Sequence, residues 1–260
     1  MFNEKSKTLK KNMKCSVIKF NGILNRGSLL NLLKINDNQL SNLKEISLLS
    51  NNIYKIKEGT FNGLSNLQKI NLSNNKLTKI EKETFYGLIN LKELSLERNK
   101  LTKIEKGTFD ELINLKILNL SLNKFKTIES SIFNGLNKLQ ELNLNYTELI
   151  EIKEGTFDEL RNLKILNLNN NKFKTIKYGI FKRLNKLQNL TLRCNKLINI
   201  EGIFDGLGNL KILDLSKTDI KIIESKLFKG LNKLRELNLS DLDNMKNYNG
   251  ITIKEGAFDE

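Results

Sequence analysis

The chain has 260 residues, 39% of them hydrophobic and 28% charged, which suits a folded protein and is too apolar for a disordered one. It contains no histidine, proline or tryptophan and only two cysteines, Cys15 and Cys194. Imidazole-based nucleophiles, His-ligated zinc, four-cysteine zinc sites, iron–sulfur clusters and disulfide scaffolds are therefore excluded. A net charge of +15 raises the question of an acidic partner at once.

At the N-terminus, MFNEKSKTLKKNMK lacks the apolar run of a signal peptide, so secretion by that route is not expected. Nowhere does the chain approach the roughly 18 uninterrupted apolar residues of a membrane-spanning helix. Residues 1–42 hold eight Lys and Arg against Glu4 and Asp37, or +6 of the total. Lys5, Lys7, Lys10, Lys11 and Lys14 form a basic arm that reads either as a polyanion-binding element or as a solubilising tail. Arginines and interleaved aromatics, the marks of base stacking, are missing from it. Residues 1–29 thus form an arm and an extended capping segment around Cys15–Leu24. LLNLLKINDNQLSNL then predicts a shortened first repeat over 30–42, with a strand through Leu30, Leu33, Ile35 and Asn38.

One period organises the remainder. Copies begin at Leu43, Leu67, Leu91, Leu115, Leu139, Leu163, Leu187, Leu210 and Leu234, with seven steps of 24 residues and one of 23. The clearest copy is LQKINLSNNKLTKIEKETFYGLIN at 67–90. In it Ile70 and Leu72 alternate with polar neighbours, the period of a strand with one buried face. Asn51, Asn75, Asn99, Asn123, Asn171 and Asn195 recur where the chain leaves that strand, a ladder able to satisfy turn backbone groups. Nine phenylalanines, from Phe61 to Phe258, recur once per copy as a stacked core spine. A single copy cannot bury both its leucines and its phenylalanine, so stability must come from stacking.

Read as LxxLxLxxNxLxxIxxxxFxxLxN, the unit resembles the leucine-rich repeat family across residues 30–260. The resemblance implies an α/β solenoid: a right-handed curved horseshoe with a concave parallel β-sheet and a convex face of extended and 3-10 segments. Only about a dozen residues separate each asparagine turn from the next strand, which leaves little room for long helices.

Three departures interrupt the ladder: Thr147, Thr218 and Leu242. A threonine keeps some hydrogen-bonding capacity; a leucine keeps none, so the ladder is expected to fail at the C-terminal end. The last copy also carries an insertion at 243–250, DNMKNYNG, and no cap follows. An open edge of this kind predicts edge-to-edge self-association or cover by a partner. A second period overlies the first. Copies reading NLKI at 114, 162 and 209 alternate with copies reading LNKL at 136, 184 and 231, so the unit of duplication is a pair.

The resemblance implies binding through concave side chains. The column between the strand leucines, Ser47 to Asn238, is small and polar. Candidates for partner contact are Glu45, Glu93, Arg98, Tyr146, Arg193, Lys217 and Asp241; Arg98, Tyr146 and Arg193 have the side-chain types that dominate interface hot spots. The alternative for all seven is a solvated face that drifted after duplication. Lysine and glutamate mix in KIEKGTF and EIKEGTF, which reads as solvated outer surface. Cys15 and Cys194 lie at least six copies apart, roughly 30 Å at ~4.8 Å per strand, so both are expected as free thiols in an intracellular setting. No catalytic set, metal site or cofactor is predicted. The expected function is non-catalytic binding of a protein; alternatives are polyanion or nucleic-acid binding by the lysine arm, and a fragment or decoy of a receptor-like protein, since GTFNGL and GTFDEL resemble repeats of receptor ectodomains and matrix proteoglycans.

Overall fold

The computed structural model describes residues 20–242 and 252–256. Cys15, the lysines at 5–14, the insertion at 243–250 and Phe258 lie outside them.

Nine three-residue strands form one parallel sheet: Glu45–Ser47, Lys69–Asn71, Glu93–Ser95, Ile117–Asn119, Glu141–Asn143, Ile165–Asn167, Asn189–Thr191, Ile212–Asp214 and Glu236–Asn238. Neighbours in the sheet are successive copies in register, so Ile46 pairs with Ile70 and Leu142 with Leu166. The middle residue of each strand points into the core and is buried in every copy but the last, where Leu237 is half-buried with Leu234 and Leu239. Full burial of a leucine stabilises by roughly 1.5–3 kcal/mol, so the last copy holds the stack less firmly than the interior ones.

Behind the sheet the phenylalanines stack. Ring centroids from Phe61 through Phe85, Phe109, Phe133 and Phe157 to Phe181 are separated by 6.0–6.4 Å with nearly parallel planes. The stack breaks between Phe181 and Phe204, where the copy is one residue short, and resumes from Phe204 to Phe228.

The asparagine ladder is a three-way tie. Asn99 Nδ2 donates to the Leu96 carbonyl of its own copy and to Leu72 of the copy before, both at 3.0 Å, while its Oδ1 accepts the Leu77 N–H at 3.1 Å. Asn75, Asn123, Asn171 and Asn195 repeat the pattern. Of the two carbonyl bonds, Thr147 and Thr218 keep the one within their own copy, each Oγ1 donating to the carbonyl three residues back at 2.8 Å. Leu242 occupies the last position with a buried side chain and no amide.

The N-terminal end differs from the strand expected through Leu30, Leu33, Ile35 and Asn38. Arg26–Leu33 is an α-helix and Asp37–Asn42 a 3-10 helix. Asn25 and Ser28 form a capping box, each side chain bonding the other's backbone N–H at 2.9 and 2.8 Å. Leu29, Leu32 and Leu33 then bury one helical face. Lys34, at φ +53°, ends the helix in the left-handed conformation. Ahead of the helix, Asn21–Leu24 pairs with Asn52–Ile56 and covers the first copy.

On the convex side, extended segments pair by twos. Besides that N-terminal pair, Lys79–Ile80 joins Lys103–Ile104, Thr127–Ile128 joins Glu151–Ile152, Thr175 bridges Asn199, and Ile222–Ile223 joins Thr252–Ile253. Among the described residues no convex strand pairing links one pair to the next. The two-copy period of the sequence is thus a structural unit. Between two pairs, Ile104, Phe125, Ile128 and Ile132 line a cavity of about 190 Å³.

Candidate functional site

The concave face presents the first and third residues of each strand and the two residues after the second leucine. In the third-residue column, Asn71, Asn119, Asn143, Asn167 and Asn238 each use Oδ1 to accept the backbone N–H two residues on, at 2.9–3.1 Å. Asp214 does the same for Ser216. These are Asx turns that shape the strand exit, so much of the column's acceptor capacity is spent on the fold itself.

One residue before each ladder position, the backbone is left-handed in all nine copies. Ser50, Asn74, Arg98, Leu122, Tyr146, Asn170, Cys194, Lys217 and Asp241 have φ between +50° and +58°. Asparagine tolerates this conformation; leucine, tyrosine and arginine adopt it at a cost of roughly 1–2 kcal/mol. Four of the seven candidate residues occupy this column: Arg98, Tyr146, Lys217 and Asp241.

The seven candidates fall into three groups. Near the N-terminal end Lys69 bridges two of them, 3.0 Å from Glu93 and 4.0 Å from Glu45. Its hydrogen bond to Glu93, reinforced by the charges of Glu93 and Glu45, raises the Lys69 ammonium above the usual lysine range. In the centre Arg98 and Tyr146 are exposed, two copies apart on the same column, with Leu122 between them. Toward the C-terminal end Lys217 lies 4.0 Å from Asp241. Arg193 is exposed, and contact with Cys194, then the charges of Asp214 and Asp241, hold its guanidinium still more firmly protonated. Cys194 is a free, half-buried thiol.

Three central apolar residues add to this face. Leu122 and Ile165 are each 37% exposed, and Ile117 is half-buried beside them. Their signal in the sequence is the first strand column, where isoleucine at 117, 165 and 212 alternates with polar Glu141, Asn189 and Glu236. Over the four concave columns seven acidic and four basic residues give a net −3, against +15 for the chain.

A second amide ladder escaped sequence reading. Where the chain descends to each strand, Asn66, Asn90, Asn114, Asn162 and Asn209 donate Nδ2 to a carbonyl of the preceding copy at 2.6–2.9 Å. Its trace is the asparagine immediately before the first leucine of most copies.

Among the described residues no group of three or more Asp, Glu, Cys or His side chains could hold a metal, and no helix is long and apolar enough to cross a membrane.

No curated protein matches the sequence. Among solved structures, the crystal structure of TLR13 with ssRNA13 superposes with a TM-score of 0.74 and 33% identity, covering 81% of this chain and 32% of that one. The Drosophila Toll–Spatzle complex superposes with a TM-score of 0.70 and 23% identity, covering 80% of this chain and 32% of Toll. The present chain therefore spans about a third of either structure. The leucine rich repeat model matches residues 41–101, 89–149, 138–197 and 185–244 in overlapping blocks that run through the whole solenoid. The chain belongs to the leucine-rich repeat family.

Proposed function

We propose that the chain is a non-catalytic interaction module that takes a protein partner on its concave face, centred on Arg98, Leu122 and Tyr146. The observation that carries this is the left-handed column. In three successive copies a bulky side chain stands exposed on a backbone that asparagine or glycine would adopt with less strain. Ile117 and Ile165 extend the apolar area, and Arg193 with the Lys217–Asp241 pair supplies charge farther along. The net −3 of the face favours a neutral or basic protein there over a polyanion. Toll, which shares the fold, is in complex with Spatzle.

Affinity capture compares the wild type with the variant R98A/Y146A/R193A and with a convex control, Y86A/Y178A, after all three are shown to unfold at similar temperatures. A protein retained by the wild type and the control and lost from the concave variant supports this face. Equal capture by all three removes the concave assignment.

A second reading, nucleic-acid binding by the lysines at 5–14, is favoured by the TLR13 structure, whose complex contains ssRNA13. Titration with a nonspecific oligonucleotide tests it. Negligible binding at low salt removes it.

A further inference from the structure

The positive charge of the repeats is not spread evenly. Residues 43–260 hold 36 basic and 27 acidic side chains. On the descending flank, three positions per copy surround the first leucine: the two before it and the one after. From Lys44 to Arg235 these positions contribute ten cations and no acid, which leaves 26 cations against 27 acids elsewhere in the same residues. The excess of the solenoid therefore resides on one stripe.

The stripe is built by the two-copy period. In one copy the order is Asn114, Leu115, Lys116; in the next it is Lys138, Leu139, Gln140. Each lysine thus faces a neutral amide across the junction. Lys138, Lys186 and Lys233 donate Nζ to Asn114, Asn162 and Asn209 at 2.7 Å, and Lys211 donates to Gln188 at 3.0 Å. The amides orient the ammonium groups and leave their charge intact. Among the described residues none of the ten cations lies within 4.0 Å of a carboxylate oxygen. The other surfaces also carry lysines, but on the opposite flank Lys172 pairs with Glu148, and on the convex side Lys153 pairs with Glu151 and both Lys55 and Lys79 pair with Glu81.

The stripe has a shape as well as a sign. Nine strands at ~4.8 Å make it about 38 Å long. Acids of the first strand column, such as Glu45 and Glu141, bound it on the concave side, and Asp110 and Asp158 bound it on the convex side. A narrow line of charge fits a linear polyanion better than a membrane plane. The stripe holds no aromatic residue on which a base could stack, and eight of its ten cations are lysine. Cations in successive copies, one strand spacing apart, suit a polymer with one charge per residue at a similar rise.

We propose that this flank binds the sugar–phosphate backbone of a nucleic acid without reading its bases. Its residues are neither those of the concave columns nor the lysines at 5–14.

The test uses the full chain and two fluorescent probes, a 20-nucleotide random-sequence single strand and a 20-base-pair duplex, at 50 and 200 mM salt. Four proteins are compared: the wild type; the stripe variant K138Q/K164Q/K186Q/K211Q; an equal charge loss on the opposite flank, K76Q/K100Q/K124Q/K196Q; and the arm variant K5Q/K7Q/K10Q/K11Q/K14Q. With about six phosphate contacts, wild-type affinity for the duplex falls roughly a thousandfold between the two salts. The stripe variant binds at least tenfold more weakly at 50 mM, on the order of 1.4 kcal/mol or more, and its salt slope is shallower by about 3. Arginine at the same four positions restores binding, and the opposite-flank and arm variants each stay within about threefold of the wild type, well under that tenfold step. Absence of wild-type binding at 50 mM overturns the proposal. So does an equal loss on both flanks, loss on removing the arm charges alone, or stripe-dependent binding of a heparin fragment without binding of either nucleic acid.

Discussion

Asn171 Oδ1 accepts the Thr147 backbone N–H at 3.2 Å and lies 3.0 Å from the Thr147 hydroxyl, so one ladder asparagine partly covers the place of its missing neighbour. What Thr147 cannot supply is the second donor. An asparagine there would send Nδ2 to both Leu120 and Leu144, as Asn123 does to Leu96 and Leu120. T147N is expected to stabilise the protein by about 1 kcal/mol. Conversely, N99A leaves the Leu77 N–H without its acceptor and the Leu72 and Leu96 carbonyls without their amide donor. A loss of roughly 2–4 kcal/mol is expected. Urea unfolding of both variants checks the pair, and a loss under 1 kcal/mol for N99A would show that water replaces the ladder.

Gly202, at φ +63°, is where the 23-residue copy accommodates the ring of Tyr178. A Cβ there would meet Cδ2 and Cε2 of that ring at 2.7 Å. The ring is also held at its far end: a hydrogen bond to Asp205, and then that carboxylate's charge, raise the Tyr178 phenol above the usual tyrosine range. G202A therefore carries backbone strain of about 1 kcal/mol plus a steric term. The double variant G202A/Y178A should recover the steric part and keep the backbone part. A coupling energy near zero in that double-mutant cycle would mean that Tyr178 swings away freely.

The repeat is legible in the sequence because burial imposes one pattern nine times: leucines on one strand face, asparagine at its exit, phenylalanine behind. The first unit is not legible by that pattern. Leu29, Leu32 and Leu33 recur at helical spacing, and Asn25 with Ser28 caps the helix, so a template built on Leu30, Leu33 and Ile35 selects the wrong period. The candidate surface is legible only in part. Sequence columns identify Arg98 and Tyr146 as exposed, but not the left-handed backbone beneath them, which becomes evident from nine φ values in register. The lysine stripe is hidden for another reason. Along the chain its members sit beside glutamates, as in Lys92–Glu93 and Arg235–Glu236, and only alternation across the strand sends one to the flank and the other to the concave face.

The left-handed column separates stability from binding. Asn74 and Asn170 already occupy it, so L122N replaces a strained leucine with a residue the backbone accepts. The leucine is 37% exposed and little burial is lost. L122N is expected to raise stability by roughly 0.5–1 kcal/mol while it weakens partner capture by the concave face. Thermal unfolding and the capture assay read the two effects independently. Destabilisation would mean that Leu122 packs into the core more than its exposure indicates.

Two glutamates on the convex side should respond to pH with opposite signs. Glu58 is hydrogen-bonded to Glu83, and that bond, the Glu83 charge and slight burial raise its carboxyl above the ordinary value. Glu81 is held below the ordinary value by its hydrogen bond to Lys79 and the charge of Lys55. A raised carboxyl binds its proton more readily when folded, so the pair with Glu83 opposes folding at neutral pH and ceases to do so as pH falls through the raised value. A lowered carboxyl contributes stability above its unfolded value and loses it as pH falls through the folded one. E58Q is therefore expected to raise the melting temperature at pH 7, and E81Q to lower it. The E58Q difference should vanish near pH 3, where Glu58 is protonated, and the E81Q difference should shrink there. Melting curves at the two pH values decide the matter; shifts of equal size at both would assign the effects to shape and not to charge.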